Sequence, residues 1–246
     1  MKKILGILLF GMLFIRCSGS KDTSLMNAEE NLAYAMELYN DEDYEFSIKE
    51  FQSIILQFPG NQVNDDAQYY LAMSYYNDGQ YLLAAYEFSK LIRDIKGSEY
   101  VPMAQFMLAD SYYQLSPHYS LDQTYTKKAI SEFQSFIDFF PTDPKVEEAE
   151  RKISEMNYKL AKKLYNSAEI YEKMGYFNAA IEYYTKVYER YHDTEFAPEA
   201  HYKKIQLLLD KERFAQAVEN MKLFLNKYTN SKYTSEIQNL YDEMKF

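Results

Sequence analysis

Residues 71–91, LAMSYYNDGQYLLAAYEFSKL, contain two amphipathic segments separated by a short turn. In the first segment, Leu71, Ala72 and Tyr75 fall on one face of a helix because of their spacing. The letters NDGQ at 77–80 then have the composition of a turn. The second segment has its own apolar helical face, formed by Tyr81, Ala84, Ala85, Phe88 and Leu91. This stretch therefore predicts two helices folded back on each other as a hairpin.

The hairpin pattern recurs along the chain at a step of 37 residues. Two columns of identical residues follow that step: Tyr39, Tyr76 and Tyr113, and Ala35, Ala72 and Ala109. An internal period of roughly 20–50 residues is typical of stacked structural units. Because each such unit packs mainly on its neighbours, the repeat predicts one continuous all-α solenoid of about five helix hairpins.

Small residues also recur on the second helix of the hairpins, where we expect close helix packing. They are Ala84, Ala129, Ala179 and Ala217. The step from Ser47 to Ala84 is 37 residues, whereas the step from Ala84 to Ala129 is 45. The third unit is therefore expected to carry an insertion between its helices, around residues 116–124.

The first seventeen residues have the layout of a secretory signal. A basic start, Met1–Lys3, precedes an apolar run over residues 4–15, and Cys17 follows directly. This run is shorter than the about 20 apolar residues that a membrane-spanning helix needs. The layout resembles that of a bacterial lipoprotein, with a signal peptide at 1–16 and Cys17 as the acceptor of the lipid.

Residues 17–26 are then expected to form a polar, lipidated tether between the membrane and the solenoid at 27–246. Since Cys17 is the only cysteine, it has no internal disulfide partner. Arg16 stands where the lipoprotein cleavage motif prefers a small residue. Two alternatives are therefore an uncleaved short anchor and an ordinary secretory signal followed by a surface cysteine. By analogy with lipoproteins, Ser18 after the cysteine predicts transport to the outer membrane.

Charge and motif content argue against several classes of function. The net charge of −10 disfavours a nucleic-acid partner, and it also disfavours binding of anionic lipid by the folded surface. The three histidines are scattered without metal-ligand spacing, and no nucleotide-binding or nucleophile motif is present. We therefore expect no metal, no cofactor and no enzyme activity.

The first helices of the hairpins are expected to line a groove that binds a partner. The predicted groove residues lie on the first helices of units one to three: Glu29, Leu32, Met36, Tyr39, Asp66, Tyr69, Met73, Tyr76, Phe106, Asp110 and Tyr113. Exposed methionines and tyrosines suit an extended peptide with apolar and aromatic side chains. The alternative is that longer helices bury these side chains against a neighbouring element.

The pattern resembles the tetratricopeptide repeat (TPR) over residues 27–230. In unit two, the residues that occupy family positions are Leu71, Ala72, Tyr75, Gly79, Tyr81, Ala84 and Phe88. Asn31, Gln68 and Gln105 stand where the family has a large aromatic residue near the start of the first helix. The resemblance implies a right-handed superhelical solenoid, which we expect to end in a C-terminal capping helix.

A narrower resemblance, to the BamD family, comes from the middle of the chain. It rests on the segment from Asp122 through Phe140-Pro141, on the long polar stretch 147–163, and on Tyr171–Tyr176 followed by Ala179-Ala180. The match covers residues 27–210 and weakens after Lys211. BamD proteins are outer-membrane lipoproteins of the β-barrel assembly machinery.

The BamD resemblance implies a lipid-anchored scaffold on the periplasmic face of the outer membrane. Its C-terminal repeats would hold the periplasmic domains of the barrel-forming insertase. Its N-terminal repeats would contact other subunits and the C-terminal strand signals of unfolded outer-membrane clients. Alternatives are a different envelope TPR lipoprotein that coordinates cell-wall synthesis, and a peptide-binding co-chaperone. An unbroken helix over residues 145–174 is expected to couple the two halves.

Overall fold

The computed structural model describes residues 25–244, which form eleven α-helices. The helices are α1 (Ala28–Asn40), α2 (Tyr44–Gln57), α3 (Asn64–Asn77), α4 (Tyr81–Asp94), α5 (Val101–Gln114), α6 (Thr124–Phe139), α7 (Val146–Lys173), α8 (Phe177–Arg190), α9 (Phe196–Asp210), α10 (Phe214–Lys227) and α11 (Thr234–Met244). The predicted signal peptide and Cys17 lie outside the described residues, as does most of the tether.

The helices pack in chain order, each on the next, which confirms the predicted series of hairpins. Five hairpins, α1/α2 through α9/α10, are followed by α11. Ile237 of α11 is fully buried against α9 and α10, so this final helix covers the apolar end of the stack. The long helix α7 spans 28 residues, as the unbroken polar stretch predicted.

Small residues allow the helices of each hairpin to cross closely. Ala35, Ala72 and Ala109 of the first helices are all 0 % exposed. On α8, Ala180 is the buried residue, whereas the predicted Ala179 is half-buried. Ala180 is the fourth residue of its helix, as Ala84 is in α4, so the prediction on this helix was wrong by one position.

Two glutamines occupy places where TPR proteins have a large aromatic residue. Gln68 Nε2 of α3 donates hydrogen bonds to the backbone oxygen and the carboxylate of Glu87 on α4, at 3.2 and 2.7 Å. Gln105 of α5 repeats this arrangement with Glu132 of α6, at 3.1 and 2.9 Å. Since both glutamines are buried, these bonds satisfy amide groups that would otherwise be costly. The two hairpins are thus held by polar contacts at the positions where TPR proteins have a large aromatic residue.

The turns between the helices of a hairpin share one backbone feature. Glu42, Gly79, Gly175 and Glu212 all have positive φ, at 61°, 76°, 78° and 55°. Each of these residues lies in the three-residue connection that follows a first helix. Residues in this left-handed conformation commonly end helices. The third hairpin differs because residues 115–123 form a longer loop between α5 and α6, as the spacing predicted.

Candidate peptide-binding surface

The eleven predicted groove residues lie on α1, α3 and α5, and the structure gives them three kinds of environment. Glu29 is exposed, in the first turn of α1. Phe106 and Asp110 are buried. The remaining eight are half-buried: Leu32, Met36, Tyr39, Asp66, Tyr69, Met73, Tyr76 and Tyr113. Most of the set is therefore partly accessible, but little of it is fully open to a partner.

Phe106 belongs to the core and does not line an open groove. Its side chain is 2 % exposed, and its ring packs edge to face on Phe133 and Phe136 of α6, with 5.4 Å between centroids in each case. The ammonium groups of Lys145 and Lys152 lie 4.5 and 5.4 Å from the ring centroid. The start of the long helix α7 therefore covers this side chain. For Phe106, the alternative of burial against a neighbouring element is correct.

Asp110 is also buried, and its carboxylate has partners from two neighbouring first helices. One oxygen accepts from Lys152 Nζ of α7, and the other accepts from Tyr76 Oη of α3. Gln114 Nε2 donates to the second oxygen at 3.3 Å. The side chain is 4 % exposed, so its charge is balanced inside the protein and is not presented to a ligand.

Hydrogen bonds of tyrosine hydroxyls connect successive first helices. Tyr39 Oη of α1 accepts from Asn77 Nδ2 of α3 at 3.0 Å. Tyr76 of α3 reaches Asp110 of α5, and Tyr113 Oη of α5 donates to Glu155 Oε2 of α7 at 2.6 Å. This tyrosine ladder, defined by Tyr39, Tyr76 and Tyr113, explains the 37-residue column of the sequence. It fixes the first helices relative to one another.

The environment of these hydroxyls keeps them protonated. The hydrogen bond to Glu155, together with burial, raises the pKa of Tyr113 to about 12. Burial also raises the pKa of Tyr39. Burial and Asp110 also raise the pKa of Tyr76. At neutral pH the ladder tyrosines therefore remain neutral.

Ring stacking makes the middle of this surface rigid. The rings of Tyr69 and Tyr100 are stacked, with 4.3 Å between centroids and an interplanar angle of 12°. Tyr100 Oη donates to Asp66 Oδ1, so α3 and α5 are also joined at this end. Met73 packs against the core cluster of α3, α4 and α5 beside Tyr76. The half-buried faces of Tyr69, Met73 and Tyr76 thus lie on a preformed surface.

A family model described as "YfiO: Outer membrane lipoprotein" matches residues 26–207, about three quarters of the chain. The chain belongs to this YfiO family. The match confirms the resemblance to BamD-like lipoproteins, and it ends within α9. No curated protein matches the chain significantly.

Solved structures of TPR proteins are similar to this YfiO-family chain at low identity. The TPR2AB domain of yeast Sti1, from a complex with pHSP90, is 15 % identical, with a TM-score of 0.41, over 89 % of this chain and 98 % of that one. A TPR protein of Cytophaga hutchinsonii is 16 % identical, with a TM-score of 0.43, over 88 % and 75 %. A TPR protein of Thermus thermophilus is 15 % identical, with a TM-score of 0.38, over 89 % and 99 %.

The structure also shows a pocket that the sequence reasoning missed. The loop 115–123 lies against α7, and between them is a pocket of about 430 Å³ lined by Ser116, Pro117, His118, Tyr119, Glu155, Tyr158, Lys159 and Lys162. We call this the loop pocket. Its signals in the sequence were the insertion and the lysines at 159, 162 and 163.

Residues 25–244 offer neither a metal-binding cluster nor a membrane-spanning helix. No group of three or more His, Cys, Asp or Glu side chains in this part of the chain could hold a metal ion. Across the same range, no helix combines the length and apolar character that crossing a membrane requires.

Proposed function

We propose that this YfiO-family protein is a lipid-anchored scaffold of the outer-membrane β-barrel assembly machinery, without catalysis of its own. Its C-terminal repeats would bind the periplasmic domains of the insertase. Its N-terminal repeats would contact other subunits and the C-terminal strand signals of client proteins. The observation that carries the proposal is the match of residues 26–207 to a family of outer membrane lipoproteins.

The tyrosine ladder supports the binding role of the N-terminal repeats. A surface whose side chains are already ordered loses little conformational freedom when a partner binds. The ladder and the stacked pair of Tyr69 and Tyr100 order this surface before any partner arrives. The half-buried Met36 and Met73 add adaptable apolar area. These properties suit an extended peptide with aromatic residues.

Exposed apolar side chains support a docking role for the C-terminal repeats. Met174 and Tyr176, in the turn between α7 and α8, are 60 and 58 % exposed, and Phe214 at the start of α10 is 51 % exposed. Tyr176 lines one pocket with Lys211 and Arg213 of the next turn, so the two turns are adjacent. Clustered exposed apolar residues commonly mark interaction sites. We assign the surface formed by Met174, Tyr176 and Phe214 to binding of the insertase.

A pull-down from native membranes in mild detergent, followed by mass spectrometry, tests the proposal. The wild-type chain is expected to recover a β-barrel insertase. Met174→Ser combined with Tyr176→Ser is expected to reduce that recovery, whereas Leu82→Ser, on an exposed face of α4, is the matched control. Recovery of cell-wall synthesis proteins in place of the insertase would support the alternative envelope role and overturn the proposal.

The lipid anchor has its own test. Cys17→Ser is expected to move the protein out of the membrane fraction, because no other cysteine can carry the lipid. Retention of the variant in the membrane after a high-salt wash would instead support an uncleaved apolar anchor at the N-terminus.

A further inference from the structure

The loop pocket is held together by lysines of α7. Lys159 Nζ donates to Ser116 Oγ at 2.7 Å, and Lys163 Nζ donates to the backbone oxygen of Leu121. The ammonium group of Lys162 lies over the ring of Tyr119, 4.9 Å from its centroid. Lysines 159, 162 and 163 share one face of the helix because they are three and four residues apart.

These three lysines have neutral partners in place of carboxylates. Over residues 25–244, the ion pairs formed within 4.0 Å involve other lysines and arginines. Glu155 is the carboxylate that lines the pocket, but its two oxygens accept from Arg151 Nη1 and Tyr113 Oη. The nearby Asp122 carboxylate accepts a hydrogen bond from the backbone N–H of Thr124. Glu155 and Asp122 still act on Lys159 and Lys163 electrostatically from beyond ion-pair distance. Because two carboxylates face three lysines, the pocket region carries an excess of positive charge.

This local charge contrasts with the rest of the chain, whose net charge is −10. Burial lowers the pKa of Lys159, which means that its charged form lacks the stabilisation that water would give. An anion entering the pocket would restore that stabilisation for Lys159 and would add an ion pair with Lys162. Elsewhere on the surface, the net negative charge of the chain would repel anions.

The rest of the pocket is apolar and aromatic. Pro117, Tyr119 and Tyr158 line it beside the lysines, and Tyr158 is 40 % exposed. An isolated phosphate group would use the charges but not these rings. An extended peptide that carries carboxylates next to an aromatic side chain would use both.

We propose that the loop pocket binds an acidic segment of a partner protein, with Asp or Glu side chains at Lys159 and Lys162 and an aromatic residue against Tyr119 and Tyr158. None of the residues that line the pocket belongs to the predicted groove on α1, α3 and α5, although the two sites adjoin where Tyr113 donates to Glu155. The proposal goes beyond the scaffold function and does not depend on which envelope machinery the protein serves.

Binding of two matched synthetic peptides to the full-length protein in mild detergent tests this site. The probe is a heptapeptide of alternating Asp and Phe, blocked at both ends and labelled with an uncharged fluorophore, and its partner has Asn in place of Asp. In fluorescence anisotropy, the Asp peptide is expected to bind about tenfold more tightly, and its affinity should fall with added salt.

Variants of Lys162 locate the binding, because this lysine contacts the loop only through the ring of Tyr119, whereas Lys159 and Lys163 donate hydrogen bonds to it. Lys162→Gln is expected to weaken binding of the Asp peptide about threefold, and Lys162→Glu about tenfold or more. Lys128→Gln is the matched control and should leave binding unchanged. Lys128 also lies over tyrosine rings, those of Tyr112 and Tyr125, but outside the pocket.

Several results would overturn the proposal. They are equal affinity for the Asp and Asn peptides, wild-type affinity in Lys162→Glu, an equal loss in Lys128→Gln, and no binding at millimolar peptide. Binding of phosphatidylglycerol vesicles that depends on Lys162, without peptide binding, would reassign the pocket to a lipid headgroup. None of these outcomes bears on recovery of the insertase, so the two proposals fail separately.

Discussion

Asp110 of α5 and Lys152 of α7 form an ion pair inside the protein, although 42 residues separate them in the chain. Their residues are 4 and 8 % exposed. Lys152 Nζ also lies 3.2 Å from Glu148 Oε1 and 5.0 Å from the ring centroid of Tyr113. The pair thus joins the third hairpin to the start of the long helix at the point where the tyrosine ladder meets it.

Removing one partner of this pair should be far more costly than removing both. Lys152→Ala would leave the Asp110 carboxylate buried without its counter-charge, and we expect the free energy of unfolding to fall by about 3 kcal/mol. Lys152→Met combined with Asp110→Asn should recover most of that loss. Urea unfolding, followed by circular dichroism, measures the free energy of unfolding of the wild type, of Lys152→Ala and of the double variant.

The exposed pair of Lys49 and Glu45 on α2 is a matched control for the buried pair. Lys49→Met should change the free energy of unfolding by less than about 0.5 kcal/mol, since solvent screens this interaction. If Lys152→Ala cost no more than Lys49→Met, the buried pair would have no special role in stability.

In a turn with positive φ, a change to glycine should raise the free energy of unfolding, whereas Lys152→Ala lowers it. Glu212 has a φ of 55°, a conformation that costs a residue with a β-carbon about 1 kcal/mol more than glycine. Glu212→Gly should therefore raise the free energy of unfolding by about 0.5–1 kcal/mol, as measured by urea unfolding. Gly79→Ala should lower it by about 1 kcal/mol, because φ there is 76°.

Gly97 separates the effect of backbone conformation from that of steric contact. A β-carbon at Gly79 or at Gly97 would meet no atom within 4 Å, but Gly97 lacks a positive φ. Gly97→Ala should therefore be neutral or slightly stabilising. Equal destabilisation by the two alanine variants would contradict the backbone explanation.

His201 of α9 should make stability depend on pH in the acid range. It is 1 % exposed, and its ring stacks on Tyr188 with 4.1 Å between centroids. Burial, with a smaller effect of Lys204, lowers its pKa to about 4. The unfolded chain, with a histidine pKa of about 6.5, therefore binds a proton more readily than the native protein between pH 6.5 and 4.

The sign of this dependence follows from the lowered pKa. Above pH 6.5 the imidazole is neutral in both states and contributes no pH dependence. As pH falls from about 6.5 to 4, stability should decrease by up to about 3 kcal/mol. Urea unfolding of wild type and His201→Phe across this range measures the effect, which the variant should lack. The exposed His192, changed to Gln, should behave as wild type.

Local patterns explain why the hairpins could be predicted. The turn at 77–80 and the alanine columns act within one unit, and neighbouring units repeat the same packing. The length of α7 could be predicted for the same reason, since residues 145–174 contain no proline or glycine to end a helix. Which of Ala179 and Ala180 is the buried small residue of α8 was harder to predict, because both are alanine and they are adjacent in the chain.

The environment of the predicted surface depended on contacts distant in sequence. Phe106 and Asp110 occupy the same face as residues of α3 that are half-buried, but the start of α7 covers them. Where that helix lies is set by the packing of α6 and α7, not by any pattern within α5. The partners of Tyr113 and of Lys159 are likewise more than 40 residues away.

Peptide binding by the N-terminal repeats is predicted to depend on Met73 and Tyr76. Met73→Ala combined with Tyr76→Ala should weaken binding of a peptide that ends in aromatic residues, while the helical circular dichroism signal remains. Tyr76→Phe is a useful companion, because it keeps the ring and removes only the hydroxyl, which donates to Asp110 and accepts from Gln114. We expect it to bind more weakly than wild type, because the ladder is interrupted, but more tightly than the double variant. Unchanged affinity in the double variant would contradict this surface as the binding site.

The long helix α7 is predicted to couple the two halves mechanically. Its first half packs through Ala149 and Met156 on α5 and α6, and its second half packs through Tyr165 and Ala168 on α8 and α9. Gly-Gly inserted after Asn157 would disrupt the connection between these halves, because two extra residues turn one half by about 200° relative to the other and each glycine costs a helix about 1 kcal/mol. We expect the variant to bind peptide and insertase separately but to impair barrel assembly.

The matched control for this insertion is Gly-Gly after Asn230, in the exposed connection between α10 and α11. It adds the same two residues outside a helix, and assembly should remain near the wild-type level. Assembly is measured by the rate at which a reporter barrel becomes heat-resistant in native membranes. A normal rate with the insertion after Asn157 would mean that the two halves work independently, because a rigid connection could not survive the break.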